Sequence, residues 1–264
     1  MKKMSFEEVR YTQIEMLKEF HEFCLDNNLR YFLDAGTLLG AVRHDGFIPW
    51  DDDIDLAMPR EDYNKLLHLA KGGYKNYGLL MPENSIYTYL KIVDTRTLLI
   101  EDINNTKNNI GVYLDIYPKD GLLSMGLYSY IKCEIIRILC LKHWFNKVTI
   151  HKWKKSRQLT KKIIASFGKL TLKDPNNALK KMLKIAEKNS FDDSPYVATL
   201  ESGGLKNCIH SSHFKERKLQ QFENLQVYIP CGFHEYLTVL YGDYMKLPPD
   251  HEQQSHHVYD AYWK

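Results

Sequence analysis

The stretch "GTLLGAVRHDGFIPWDDDIDLAM", Gly36 to Met58, decides how this chain folds. Four aspartates, Asp51, Asp52, Asp53 and Asp55, occupy five positions beside Trp50, Ile54, Leu56 and Met58. From Asp53 to Met58 acidic and apolar residues alternate, which is strand periodicity. Ile54, Leu56 and Met58 then face a core, and Asp53 and Asp55 share the opposite face. Two carboxylates so placed lie about 7 Å apart. They repel one another and shift each other's ionisation unless a cation is shared between them. An all-oxygen donor set suits Mg²⁺ or Mn²⁺ rather than zinc.

Upstream, "RYFLDAG" reads as a strand over Tyr31 to Asp34, and Thr37 to Val42 as a short helix after Gly36. Glycine lets a phosphate approach the backbone closely, a helix N-terminus offers N–H groups to an anion, and Thr37 adds a hydroxyl. Further upstream, Ser5 with Glu8 forms a capping-box pattern. Apolar residues from Phe6 to Cys24 follow at helical spacing, and Asn27-Asn28 ends the run. Downstream, a helix is expected over Arg60 to Ala70, then strands at Tyr87 to Val93, Thr97 to Ile100 and Gly111 to Ile116. The last holds Asp115 between Leu114 and Ile116. An aspartate inside an apolar strand needs compensation, and a metal shared with Asp53 and Asp55 would provide it.

This order gives an α+β fold, a mixed sheet core flanked by helices, with a mainly helical second part. Helices are expected near Leu122 to Trp144, Trp153 to Phe167, Asn176 to Asn189 and Gly232 to Tyr241. A boundary near Pro118–Gly121 divides the chain into residues 1–120, the catalytic core, and 121–264, a basic acceptor-side region whose tail returns to the active site.

Composition bounds the reading. The chain has 264 residues, 44% of them apolar, enough for one large domain or two small ones. Net charge is +3 but uneven. From Lys142 to Lys188, fourteen Lys and Arg meet two acids, Asp174 and Glu187, so this segment carries +12 and the rest sums to −9. Basic amphipathic helices of this kind suit an anionic polymer or a membrane surface, and no nucleic-acid-binding motif is present. The longest apolar run, Gly121 to Leu141, carries Lys132, Glu134 and Arg137, so a buried or interfacial helix is expected rather than a membrane span. Five cysteines without C-x-x-C spacing, and an N-terminus without an apolar stretch, point to reduced thiols in the cytoplasm, with possible contact at the inner membrane face.

Several further residues carry two readings. Arg43 either binds a diphosphate with its planar fork or forms a salt bridge to the acidic loop; His44 is the weaker companion. Lys91 either faces the same cleft and meets phosphate or is an exposed strand lysine. Asp120 either serves as a general base or caps the following helix, capping being favoured. Trp50, Tyr113 and Tyr117 either pack the core or cage a quaternary ammonium through cation–π attraction. His256 and His257 either reach the site or lie in a solvated tail.

Three blocks together resemble one family. "FLDAGTLLGAVRHDGFIPWDDDIDLAMPREDYNKLL", "VYLDIYPKDG" and the C-terminal "YGDYMKLPPDHEQQSHH" are similar to the conserved blocks of the LicD family, which belongs to the nucleotidyltransferase-fold superfamily and has fukutin-like relatives. The resemblance implies metal binding at Asp53, Asp55 and Asp115, which are also the catalytic residues, and phosphate binding at Gly36 and Thr37, and its C-terminal block ends in a histidine that points to His257; Arg43 and Lys91 join the substrate-binding residues on their own chemistry and position. It implies a transferase that moves a phosphoalcohol, phosphocholine from CDP-choline or the group of another CDP-alcohol, to a sugar hydroxyl of a glycan or lipid-linked glycopolymer. CMP leaves, and an aspartate, Asp115 or Asp120, accepts the hydroxyl proton. Transfer of an NMP group, or non-catalytic binding of an anionic glycopolymer, are the alternatives. Residues 122–195 match no block and leave the acceptor open.

Overall fold

Strand β3 (Asp55–Pro59) lies parallel to β7 (Tyr113–Leu122), and these two strands form the centre of the molecule in its computed structural model. The structure describes all residues except 72, 75–76, 102–109, 148–174, 202–203 and 255–258. β2 (Phe32–Leu33) pairs antiparallel with β3. On the other side β5 (Leu90–Asp94) is antiparallel to β7, and β4 (Tyr77–Leu80) is antiparallel to β5. The far end of β7 pairs with β8 (Tyr196–Ala198), which pairs with β9 (Ile209–His210). A separate sheet has the order β1 (Lys2–Lys3), β12 (Tyr259–Trp263), β6 (Thr97–Glu101), and β10 (Arg217–Phe222) and β11 (Leu225–Pro230) form a hairpin.

The mixed sheet with its helices is the expected α+β fold. α1 (Phe6–Asp26) opens on the expected capping box: the Glu8 N–H donates to Ser5 Oγ (3.1 Å) and the Ser5 N–H to Glu8 Oε2 (2.8 Å). Its buried Val9, Met16, Leu17, Phe20 and Cys24 recur at helical spacing and face the main core. α2 (Ala35–His44) starts two residues before the expected position, and α3 (Arg60–Ala70) falls where expected. α4 (Leu127–Lys147) packs on α5 (Pro175–Ala186) over a second core that includes Leu122, Ile136, Leu179 and Met182. The short α6 (Ser212–Lys215) and α7 (Phe233–Tyr241) complete the helices among the described residues, none of which is long and apolar enough to cross a membrane.

Three local expectations change. The strand starts at Asp55, not Asp53, so residues 51–54 form an irregular approach to it. β7 runs on to Leu122 through the expected boundary and carries the chain from the main core to the second one. The main core also draws on Phe214, Val227, Tyr236 and Ala261 from the second half of the chain. The helix expected at Trp153–Phe167 lies outside the described residues.

Candidate active site

The parallel register of β3 and β7 sets Asp55 beside Asp115, and the antiparallel register of β7 and β5 sets Asp115 beside Lys91. One row across three strands therefore reads Asp55, Asp115, Lys91. Two backbone bonds fix the approach to this row: the Asp115 N–H donates to the Ile54 carbonyl (3.0 Å), and the Asp55 N–H donates to Thr37 Oγ1 (2.9 Å). Thr37 is buried, so its oxygen holds Asp55 in place as an acceptor.

Lys91 is not an exposed strand lysine. It is buried, its Nζ lies 2.7 Å from Asp115 Oδ1, and it sits 3.5 Å from the centre of the Tyr113 ring. The cation–π site at Tyr113 is thus filled by the chain's own ammonium, and Tyr113 is not left to cage a substrate cation. Tyr89 and Tyr117 stack with ring centres 4.3 Å apart, and each hydroxyl donates to Asp115 Oδ2 at 3.4 Å. The compensation expected of a metal at Asp115 is therefore supplied at least in part by Lys91.

Asp55 has a different environment. It is half-buried, and its carboxyl is pushed well above the usual carboxylate range, first by burial and then by the negative charges of Asp53, Asp115, Asp34 and Asp51. Such a gathering of carboxylates is unfavourable without a cation. Asp51, Asp52 and Asp53 each offer an oxygen, and the three lie within 4.8 Å of one another. The donor set is all carboxylate oxygen, so the residues present fit a hard divalent cation. Asp53 belongs to this group; Asp55 and Asp115 sit side by side on β3 and β7, Asp115 with its lysine partner.

A cleft of about 1060 Å³ opens onto Asp51, Asp53 and Asp55. Ala35 and Gly36 at the start of α2, Arg43, Trp50 and the aspartates line one side. Tyr241, Asp243, Tyr244, His251 and Glu252 from the C-terminal block line the other, so that block returns to the site. A Cβ at Gly36 would meet Asp51 Oδ2 at 2.7 Å, so glycine is what allows the acidic loop to close on the helix start. Ala35 has φ +44°, a left-handed conformation that costs a non-glycine residue about 1 kcal/mol or more. The strain is held by Asp34, which is buried: its Oδ2 lies 3.1 Å from Lys119 Nζ, and its Oδ1 accepts from the Tyr236 hydroxyl at 2.7 Å.

Two expectations at the margins are corrected. Arg43 makes no bridge to the acidic loop; it donates to the Tyr244 carbonyl at 2.7 Å and to His44 Nε2 at 2.9 Å, tying α2 to the C-terminal block. Asp120 neither caps a helix nor faces the cleft. It lies within β7, is fully buried, and is held by Arg60 through two bonds of 2.6 and 2.9 Å. His256 and His257 lie outside the described residues.

Sequence reasoning missed the residues that shape the loop from a distance. Arg10 on α1 donates to the carbonyls of Ile48 (2.7 Å) and Asp51 (2.7 Å), and Gln13 to that of Asp52 (3.0 Å). The only sign was a polar pair on an otherwise apolar helix stripe. Asp34, Lys119 and Tyr236 were also missed, although Asp34 and Lys119 lie inside the quoted blocks.

The site is thus a carboxylate cluster at β3 and β7, beside the start of α2 and along an open cleft. Residues 28–177 match the family described as LicD/FKTN/FKRP, nucleotidyltransferase domain. The chain is 31% identical over 274 residues to the lipopolysaccharide cholinephosphotransferase LicD of Haemophilus influenzae, covering 99% of each protein. It is 35% identical over 119 residues to an uncharacterized protein of Rickettsia typhi (45% of this chain, 37% of that one). It is 30% identical over 96 residues to the mouse ribitol 5-phosphate transferase FKRP (36% of this chain, 18% of that one). The chain belongs to the LicD family.

Proposed function

We propose that the chain transfers a phosphoalcohol, phosphocholine from CDP-choline, to a sugar hydroxyl of a cell-surface glycopolymer precursor and releases CMP. The observation that carries this reading is the Asp53–Asp55 cluster beside the start of α2, in a chain matched from end to end by a cholinephosphotransferase. A ribitol 5-phosphate transferase among the shorter matches shares the transfer of an alcohol phosphate and differs in the alcohol. Choline is preferred because its relative is matched over 99% of its length, against 18% for the ribitol 5-phosphate transferase.

Asp53 and Asp55, with Asp51 beside them, would hold Mg²⁺ or Mn²⁺, which when bound neutralises charge on the donor diphosphate. The first turn of α2 has N–H groups without intrahelical partners, and Ala35 and Gly36 place that turn against the cleft, where phosphate oxygens would accept from it. Thr37 keeps Asp55 in register. Of the two aspartates considered for the proton of the acceptor hydroxyl, Asp120 is locked to Arg60 away from the cleft, and Asp115, beside Asp55 in the sheet, is the one proposed. Lys91 and the two tyrosines hold the Asp115 carboxylate in one orientation.

The test is incubation of the purified protein with CDP-choline, CDP-ribitol and CDP-glycerol, each with a glycan acceptor, with Mg²⁺ and with EDTA. Metal-dependent release of CMP from CDP-choline is expected. CMP release from another CDP-alcohol alone would correct the alcohol, and release that persists in EDTA would overturn the metal assignment.

A further inference from the structure

α4 is apolar on two opposite faces. One face carries Cys133, Ile136 and Leu139, which are buried in the second core against α5. The opposite face carries Leu127, Tyr128, Ile131, Ile135, Ile138 and Leu141, all exposed, with Ile131 at 48%, Ile135 at 42% and Ile138 at 48%. At 100° per residue these six fall within one stripe, and at 1.5 Å per residue Leu127 to Leu141 spans about 21 Å. Glu134 falls within the same sector and is paired with Arg137 at 2.7 Å, and Lys142 lies at the stripe's C-terminal end. An exposed apolar stripe of this kind marks an interaction site.

What borders the stripe identifies the partner. Lys180 and Lys184 on α5, and Lys188 just beyond it, recur every four residues and are exposed, as is Lys181. Lys188 Nζ lies 3.4 Å from the Tyr128 hydroxyl, so the lysine row meets the apolar stripe at the N-terminal end of α4. An apolar strip flanked by lysines and a tyrosine matches the two layers of an anionic bilayer surface, acyl chains below and charged headgroups above. We infer that the outer face of α4, with the lysine row of α5, docks on an anionic lipid membrane. A soluble polyanion would engage the lysines but leave the isoleucines in water. Under the proposed reading of the cleft this keeps the enzyme among lipid-linked acceptors, while the docking itself rests on α4 and α5 alone.

The experiment is co-sedimentation of the full chain with vesicles of phosphatidylcholine alone and of phosphatidylcholine with equal phosphatidylglycerol, at low and high salt, with no donor or acceptor present. Its result is therefore independent of the transferase assay. The wild type should bind the anionic vesicles and lose binding at high salt. Ile131→Ser/Ile135→Ser/Ile138→Ser should weaken partition by at least roughly tenfold, and Lys180→Glu/Lys184→Glu should weaken it comparably. These side chains are exposed, so an unchanged circular dichroism spectrum and melting temperature are expected of both variants. Absence of binding to anionic vesicles overturns the inference. So does binding that survives the serine variant but not the glutamate variant, which would point to a polyanion. A wild-type dimer that the serine variant dissociates, without vesicle binding, would assign the stripe to a second copy and also overturn it.

Discussion

Asp55 concentrates the chemistry of the site in one carboxyl. Its pKa is raised by burial and by four neighbouring aspartates, so protonation favours the folded state. That contribution is fully present below the unfolded value near 4 and is lost as pH rises through the folded value. Asp55→Asn removes the repulsion. In metal-free buffer at neutral pH it should raise Tm by about 2–4 °C for each kcal/mol relieved, and it should abolish CMP release. Mg²⁺ should raise the Tm of the wild type and leave that of Asp55→Asn nearly unchanged. Calorimetric scans with and without the metal decide this; an equal metal-induced shift in both proteins would remove Asp55 from the metal set. Asp53→Asn should lose CMP release in the same way with the fold intact.

At the scale of elements, the α3–β7–β8 junction is held by a buried cluster. Arg60 opens α3, Asp120 lies in β7, and Glu201 follows β8, with Arg60 Nη2 3.3 Å from Glu201 Oε1. Burial pushes the Glu201 carboxyl up to about 8, against the pull of Arg60 and with the push of Asp120. The stability Glu201 contributes when neutral is therefore present at acid pH and lost as pH rises toward about 8. Glu201→Gln should flatten the fall in Tm between roughly pH 5 and that value; an unchanged slope would show that another group sets it. Arg60→Ala leaves the Asp120 carboxylate buried without its cation and should cost about 3–5 kcal/mol in urea unfolding. This cluster also shows what local reading could see. α1 was legible from its capping box and 3.6-residue period, and α3 from the period alone, because both are local signals. The row Asp55, Asp115, Lys91 was only partly legible: each residue could be singled out, but the pairing of Lys91 with Asp115 depends on strand register between distant segments. β3 begins two residues late because Arg10 and Gln13, about 40 residues away, hold the carbonyls of the acidic loop. "PKDG" looks like a turn, yet Lys119 and Asp120 lie inside β7 because Asp34 and Arg60 pair with them in the interior.

Over the whole molecule, the C-terminal segments close what the first half opens. Residues 241–254 form the far wall of the cleft, and β12 then lies between β1 and β6 as the central strand of its sheet. β12 supports both ends of the fold: the Met4 N–H donates to the Ala261 carbonyl at 2.8 Å, and Ala261 is the register partner of Leu99 in β6. It also reaches the site, since the Tyr259 hydroxyl donates to the Asp52 carbonyl at 3.4 Å. A proline in a central strand removes a ladder donor and is poorly accommodated. Ala261→Pro should therefore detach β1, uncover the β6 edge and loosen the acidic loop together. The expected outcome is a loss of about 3 kcal/mol in stability, increased light scattering from the exposed edge, and weaker donor binding by calorimetry in Mg²⁺. Ile100→Thr, a change at an exposed position of β6, is the control and should alter none of these. If Ala261→Pro lowers stability but leaves donor affinity intact, β12 closes the small sheet without supporting the cleft, and the link through Tyr259 carries no weight.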